Sequence, residues 1–374
     1  MRDSFVLFCA GEDSGDILGE SLVRECVRLG LQARGVGGCR MQNAGLASVA
    51  DYETLPVSGF GDVLPRFFRL RTIFSQLETL LRSENCVALV CIDYPGFNMK
   101  LVQMAERLNK SALYVAPPQV WAWKSSRVKK LRKAHLAVLF DFERRVYESY
   151  GVAADLLKHP FPRVRGKNDE KRILLLPGSR LLQAIRNISF FKAVATQVHA
   201  ERPDYTFVVA VSRAEIRSKL ENAFSQGEVL PDWLSFEDVP QKAQLRAEFY
   251  SRFPVALCIP GSATLELALS GVTPVVTDVL DSLTYFMCKH FVKADYFALP
   301  NVLLSRKAIP ECYFTTRTSR KSQSVREVAC LLQNAIANPV QSLADELEST
   351  FVKAKSSDLL MTEFLREFFE REAH

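Results

Sequence analysis

Short apolar runs alternating with helix-period segments constrain the fold of this chain more than any other feature of its sequence. Phe5–Ala10, Val87–Asp93, Ala112–Ala116 and Leu136–Phe140 are apolar runs without a polar face. Strands buried on both faces read this way, and both faces are covered when helices cross over between parallel strands. After His159-Pro160-Phe161-Pro162 the chain is polar and charged from Arg163 to Lys171, with no apolar period. The alternation then restarts with Ile173–Leu176, Tyr205–Val211, Val255–Ile259 and Pro274–Thr277. The pattern predicts an α/β protein of two domains, residues 1–163 and 171–310, joined by a linker and followed by a helical segment over 311–374. A chain of 374 residues is also longer than one hydrophobic core usually serves. The last helices carry Leu343, Leu347 and Phe351, then Leu360, Phe364, Leu365 and Phe368. They could pack back on the first domain or pair with a second chain to make an oligomer.

Composition removes several classes of function. The nine cysteines include no C-x-x-C pair and read as reduced thiols rather than a disulfide framework or zinc site. The five histidines are scattered, so no compact metal-ligand cluster is expected. Only a six-residue apolar run precedes Gly11, too short for a signal peptide or a membrane span. A net charge of +6 is modest for this length and does not imply nucleic acid. Its concentration at Lys124 to Lys133 and Arg66 to Arg71 suits an anionic partner such as phosphate or a lipid headgroup.

In open parallel sheets ligands bind outside the carboxyl ends of the strands, so the loops that follow the strands are where chemistry is expected. Gly11-Glu12-Asp13-Ser14-Gly15-Asp16 leaves the first strand and opens a helix. Ser14 or Asp16 capping that helix would explain part of this loop, but so many acids in one turn also suit a site. Ile92-Asp93-Tyr94-Pro95-Gly96-Phe97-Asn98 puts a carboxylate at the mouth of the sheet, where Asp93 could take a proton from a sugar hydroxyl or merely form a turn. The loop Pro117-Pro118-Gln119-Val120-Trp121-Ala122-Trp123 offers indoles for a sugar face or for the core. In the second domain, Leu176-Pro177-Gly178-Ser179-Arg180 and Pro260-Gly261-Ser262-Ala263-Thr264-Leu265-Glu266 are turns entering helices. Their amides suit a diphosphate, and Glu266 can accept ribose hydroxyls. Asn301, among apolar neighbours, reads alone as a helix entry.

Taken in order, GEDSGD (11–16), IDYPGFN (92–98), PPQVWAW (117–123), HP (159–160), LPGSR (176–180), GSATLE (261–266) and DYFALPN (295–301) resemble the lipid-A-disaccharide synthases. This is an inverting glycosyltransferase family with two facing Rossmann-like domains, the GT-B arrangement, and the resemblance spans about Phe5 to Phe314. It implies that the 6-hydroxyl of 2,3-diacylglucosamine 1-phosphate attacks the anomeric carbon of UDP-2,3-diacylglucosamine, giving a β-1,6 disaccharide and UDP, with no metal or cofactor. It also implies Asp93 as base with Glu12 in reserve, and a functional role for Asn301. Arg180 and the amides near Gly178, Ser179, Gly261, Ser262, Thr264 and Leu265 would hold the diphosphate, and Glu266 the ribose. Ser14, Gly15, Asp16, Asn98, Gln119 and Trp121 would contact substrate. The chain departs from the family where Gly96 replaces a common second aspartate, where Leu181-Leu182-Gln183 replaces a small residue and glutamate, at Pro260, and at Lys158 and Arg163 around the HP pair.

Residues 59–82 form an amphipathic segment whose stripe is Val63, Phe67, Leu70, Phe74, Leu77 and Leu81. Phe60, Leu64, Phe68 and Ile73 lie off that stripe among Arg66, Arg69 and Arg71, as in a helix seated in a headgroup layer. With the resemblance, this implies a cytoplasmic enzyme peripheral to the inner membrane through residues around 60–82. The competing readings are another UDP-sugar enzyme of the same architecture, such as a 2-epimerase or a transferase with a different lipid acceptor, and a non-catalytic lipid-binding protein.

Overall fold

The computed structural model describes residues 3–50, 63–121, 125–164, 171–225, 227, 229–282, 284–286, 295–340, 342–351 and 354–372. Two compact units emerge, one formed by Met1–Pro160 with Phe351–His374 and the other by Phe161–Thr350. The first contains β1 (Phe5–Ala10), α1 (Asp13–Arg28), β2 (Gln32–Val36), α2 (Cys39–Asn43), β3 (Leu46–Ser48) and α3 (Val63–Arg82). It continues with β4 (Cys86–Ile92), α4 (Pro95–Arg107), β5 (Ser111–Val115), β6 (His135–Val138), α5 (Asp141–Ser149) and β7 (Ala154–Leu156). Its strands pair in the order β3-β2-β1-β4-β5-β6-β7, all parallel.

The second unit contains β8 (Arg172–Leu176), α6 (Leu181–Glu201), β9 (Thr206–Val211), α7 (Arg217–Ser225), β10 (Leu234–Asp238), α8 (Ala243–Tyr250), β11 (Val255–Cys258) and α9 (Ser262–Leu269). After these come β12 (Thr273–Leu280), α10 (Leu299–Leu304), β13 (Glu311–Thr315), α11 (Ser322–Ala337) and α12 (Leu343–Ser349). The sheet order is β10-β9-β8-β11-β12-β13, again parallel throughout. A final helix, α13 (Ser357–Glu372), belongs to the first unit.

The alternation in the sequence is thus realised as two doubly wound parallel sheets. Along β1, Phe5, Leu7 and Cys9 enter one apolar layer while Val6, Phe8 and Ala10 enter the other, so every residue of the strand is buried. On one side lie α3 and α4; on the other α1 packs with α13, through Leu18, Leu22 and Cys26 against Leu360, Met361 and Leu365. Strands β2, β3, β7, β10 and β13 were not evident in the sequence because they are short or carry polar residues.

The 59–82 segment needs correction. Helix α3 presents Leu77 and Leu81 to the core, with Leu70 and Phe74 against it, and the Phe74 ring meets Phe97 edge-on at 5.5 Å. Ile73, placed off the stripe by the sequence reading, is 5% exposed and belongs to the same core. It lies four residues from Leu77, which puts the two on one helix face. Arg69 and Arg71 are exposed. Phe60 and the side chains of residues 63–68 lie outside the described residues. No described helix is long and apolar enough to cross a membrane.

A core helix and a purely interfacial one respond differently to truncation. Leu77→Ala removes a fully buried side chain and is expected to lower unfolding stability by about 2–5 kcal/mol in urea titrations. A change under ~0.5 kcal/mol would mean that α3 is not packed as described.

Candidate active site

Both sheets change winding direction between their two central strands, β1/β4 and β8/β11. The chain leaves such a pair toward opposite faces, opening the crevice where α/β proteins bind ligands. The sequence-predicted loops Gly11–Asp16 and Asp93–Asn98 leave β1 and β4, and the loops at Gly178 and Gly261 leave β8 and β11.

In the first unit Ser14, in the opening turn of α1, donates its hydroxyl to Asp93 Oδ2 at 2.9 Å. Asp93 and Tyr94 both adopt φ of 50°, a left-handed conformation that costs non-glycine residues on the order of 1 kcal/mol or more each. Their surroundings hold them there. Asp93 N donates to Val115 O at 2.9 Å, and the Asp93 carbonyl accepts from Tyr114 OH at 3.0 Å and Asn98 Nδ2 at 2.9 Å. Gly11 is required by close approach, since a Cβ there would lie 2.4 Å from the Tyr94 ring. Glu12, partly exposed, is the extended N-cap residue of α1, and its charge bears on the Tyr94 hydroxyl. Gly15 packs against the strands, its virtual Cβ 3.2 Å from Ala10 Cβ.

Two residues expected to contact substrate make structural hydrogen bonds. Asn98 is fully buried and its amide nitrogen donates to Cys9 O and Ile92 O, both at 3.1 Å, as well as to Asp93 O. It ties the ends of β1 and β4 together and fixes the Asp93 turn. Asp16, 5% exposed, accepts from Arg40 N at 3.2 Å and Met41 N at 3.1 Å. These amides open α2, so the carboxylate satisfies the start of a neighbouring helix. Gln119 is exposed, and Trp121 lies edge-on to Phe142 at 5.3 Å. Phe142 stacks on Phe140, and Phe140 on His159 of the HP pair. Trp123 lies outside the described residues.

Glu143 escaped the sequence reading. It is 8% exposed, and burial raises its carboxyl from the usual 4.5 to about 7. The Trp121 indole and the backbone amides of Leu139 and Phe140 oppose that rise, while the charge of Asp93 adds to it. The indole N–H, itself buried, approaches without reaching hydrogen-bond geometry with any acceptor. Glu143 stands three residues after the helix N-cap, but that N-cap is Phe140 rather than the Ser or Thr of a capping box, so no local signal in the sequence pointed to it.

The second unit builds its site from the turns into α6 and α9. Gly178 has φ of 119°, and a Cβ there would strike Ile259 Cδ1 at 2.6 Å, so the two turns meet side by side. Ile259 N donates to Leu176 O across them at 3.2 Å. Ser179, Arg180, Gly261 and Ser262 are exposed. The Thr264 side chain, fully buried, donates to Gly261 O at 2.7 Å and so shapes the turn. Leu265 is core, leaving only its backbone for a ligand. Glu266, 9% exposed, is gripped by Arg246, whose Nε donates to Oε2 at 2.8 Å and Nη2 to Oε1 at 3.3 Å. No pattern in the sequence announces Arg246.

Gln183, the departure after Arg180, donates to Asp278 Oδ2 at 2.9 Å, and Asn187 donates to Oδ1 at 2.7 Å. Burial raises the Asp278 carboxyl, and these amides oppose the rise. Asn301, expected to act in function, is fully buried with both ends of its amide on Ile309: Nδ2 donates to the carbonyl at 2.9 Å and Oδ1 accepts from N at 2.8 Å. It closes the loop after α10. Among the described residues no group of His, Cys, Asp and Glu could hold a metal ion.

The family profile described as Lipid-A-disaccharide synthetase matches residues 6–358. The lipid-A-disaccharide synthase of Geobacter sulfurreducens is 31% identical over 325 residues, covering 82% of both chains. That of Anaeromyxobacter dehalogenans is 30% identical over 356 residues, covering 91% of both. Among solved structures, Arabidopsis thaliana UGT89C1 with UDP matches with TM-score 0.63 at 12% identity, covering 96% of this chain and 99% of that one. The spinosyn rhamnosyltransferase SpnG with thymidine diphosphate matches with TM-score 0.57 at 10% identity, covering 96% and 99%. These likenesses show the fold, that of GT-B glycosyltransferases.

Glu143 gives a pH signature. Its folded-state proton affinity exceeds the unfolded one, so between pH 4.5 and about 7 the folded state holds a proton that the unfolded state has released. Stability therefore falls as pH rises through that window, by up to about 3 kcal/mol, and is flat above it. Urea unfolding of the native chain and of Glu143→Gln across pH 4.5–8 is expected to show a steeper decline in the native chain than in the variant. Parallel pH dependences would remove the assignment.

Proposed function

The chain belongs to the lipid-A-disaccharide synthetase family, and from that premise we propose that it transfers 2,3-diacylglucosamine from UDP to the 6-hydroxyl of 2,3-diacylglucosamine 1-phosphate. The chain is a glycosyltransferase; the substrates and the residue roles that follow are our reading. In the proposed reaction the acceptor oxygen forms a bond to the anomeric carbon as the bond to the diphosphate oxygen breaks. In-line attack inverts that carbon and gives the β-1,6 linkage. The hydroxyl proton goes to Asp93, with Glu12 the alternative acceptor. Ser14 engages one Asp93 oxygen and orients the carboxylate, which as an ion has accepting capacity on both oxygens.

The leaving diphosphate needs charge support that exists before the bond breaks. Backbone amides at Ser179 and Ser262, the positive end of α6 and the exposed Arg180 guanidinium would supply it. Glu266 would accept the ribose hydroxyls. The observation that carries this reading is the meeting of the Gly178 and Gly261 turns at the β8/β11 crevice, with Gly178 seated on Ile259. Open space around Gly96 leaves Asp93 without the second aspartate common in the family, so a single base is proposed.

The acylated substrates favour a membrane-surface enzyme on the cytoplasmic face of the inner membrane, held through residues around 60–82. Arg69 and Arg71 stand exposed on α3 and support that reading, each being worth about 1 kcal/mol near an anionic leaflet. Arg69→Glu/Arg71→Glu is expected to reduce co-sedimentation with vesicles containing phosphatidylglycerol by tenfold or more. Equal binding by the variant and the native chain would discard this attachment.

The reaction itself is tested by incubating the purified protein with both acylated sugars and measuring disaccharide and UDP. Asp93→Asn keeps the shape of the side chain and is expected to lower kcat by about 10²–10⁴ with an unchanged circular dichroism spectrum. Absence of product with the native chain would overturn the function, and full activity of the variant would overturn the base.

A further inference from the structure

We propose that Arg246 is the positioning residue that presents Glu266 to the ribose hydroxyls of the nucleoside diphosphate and so sets the enzyme's preference for a ribonucleotide donor. The inference rests on the proposed ribose role of Glu266 and adds a residue from a different helix. Arg246 is 7% exposed and held on every side within the second unit. Its Nη1 donates to Gln241 O at 2.8 Å and Pro240 O at 3.4 Å, and its guanidinium carbon lies 5.5 Å from the centroid of the Phe161 ring. A guanidinium has five N–H donors in one plane, so with Nη1 on the 240–241 carbonyls the Nε and Nη2 edge can point in only one direction. That edge meets the Glu266 carboxylate two-pronged.

Arg246 engages both oxygens of the carboxylate, one N–H to each. The pair fixes the carboxylate plane and keeps a nearly buried anion compensated. A glutamate without such a partner could sample other rotamers or meet a desolvation penalty that favours its neutral form, which accepts less well. The ribose contact in this chain therefore needs α8 as well as α9.

The test uses the full chain and two probes, UDP and 2′,3′-dideoxyuridine diphosphate, whose affinities are measured calorimetrically. The native chain is expected to bind UDP at least about tenfold tighter than the dideoxy analogue, since hydrogen bonds to a charged group are lost with the hydroxyls. In Arg246→Gln that preference is expected to fall to about twofold, while affinity for the dideoxy analogue, which reports the diphosphate and base contacts, stays within about twofold of native. Arg246→Lys keeps the charge but not the two-pronged geometry; it is expected to behave the same way and serves if the glutamine variant does not fold. Retained preference in a folded Arg246 variant overturns the inference, as does an equal loss for both probes, which is what a purely structural role would give. A native chain that does not distinguish the probes overturns the ribose role of Glu266 itself, an outcome separable from the others.

Discussion

At the carboxyl edge of a parallel sheet, two central strands whose chains depart to opposite faces leave carbonyl groups that no ladder completes. Satisfying them is the constraint on which both crevices depend. In the first unit one side chain takes most of the burden: the Asn98 amide reaches the carbonyls of Cys9, Ile92 and Asp93. Buried carbonyls without a donor would each cost about 1–3 kcal/mol. The same hydrogen bonds hold Asp93 in a left-handed turn, so the carboxylate owes its place to a fully buried residue. The second unit reaches the result by backbone, with Ile259 N on Leu176 O and a glycine where any Cβ would strike Ile259.

This division explains which residues were legible in the sequence. Strands such as β1 and β11, buried on both faces, announced themselves by continuous apolar runs, and their loops followed in order. Edge strands such as Leu234–Asp238 and Glu311–Thr315 carry polar residues because one side of the ladder is not covered, and they gave no apolar run to read. Polar residues in the loops were found more readily than their roles were. Asp16, Asn98 and Asn301 have the chemistry of ligand contacts, yet each satisfies backbone groups: helix amides for Asp16, strand-end carbonyls for Asn98 and the Ile309 peptide for Asn301. A backbone amide and a sugar hydroxyl make the same demand on a side chain, and only burial separates the two uses.

Residues that the sequence hid share a different property. Arg246 and Glu143 act across distances in the chain that no local pattern spans, Arg246 on Glu266 in the next helix and Glu143 toward Trp121 and Asp93. Their burial became visible only when the fold brought partners together. Buried charge is costly unless paired, and removing one member of such a pair costs about 3–5 kcal/mol.

The departure at Gln183 follows from the same electrostatics. Asp278 lies 2% exposed within β12, and its oxygens are met by amides from Gln183 and Asn187. A glutamate at 183 would bring a second carboxyl to an acid whose ionisation burial already opposes, and one of the two would have to take up a proton. Glutamine removes that conflict and supplies a donor in place of a charge. The substitution is therefore matched to Asp278 and secures the first turn of α6 behind the Gly178 loop, while Ser179 and Arg180 keep their exposed positions. A change that looks like a loss of donor-side chemistry in the sequence is, in the folded unit, an accommodation to a neighbour ninety-five positions away.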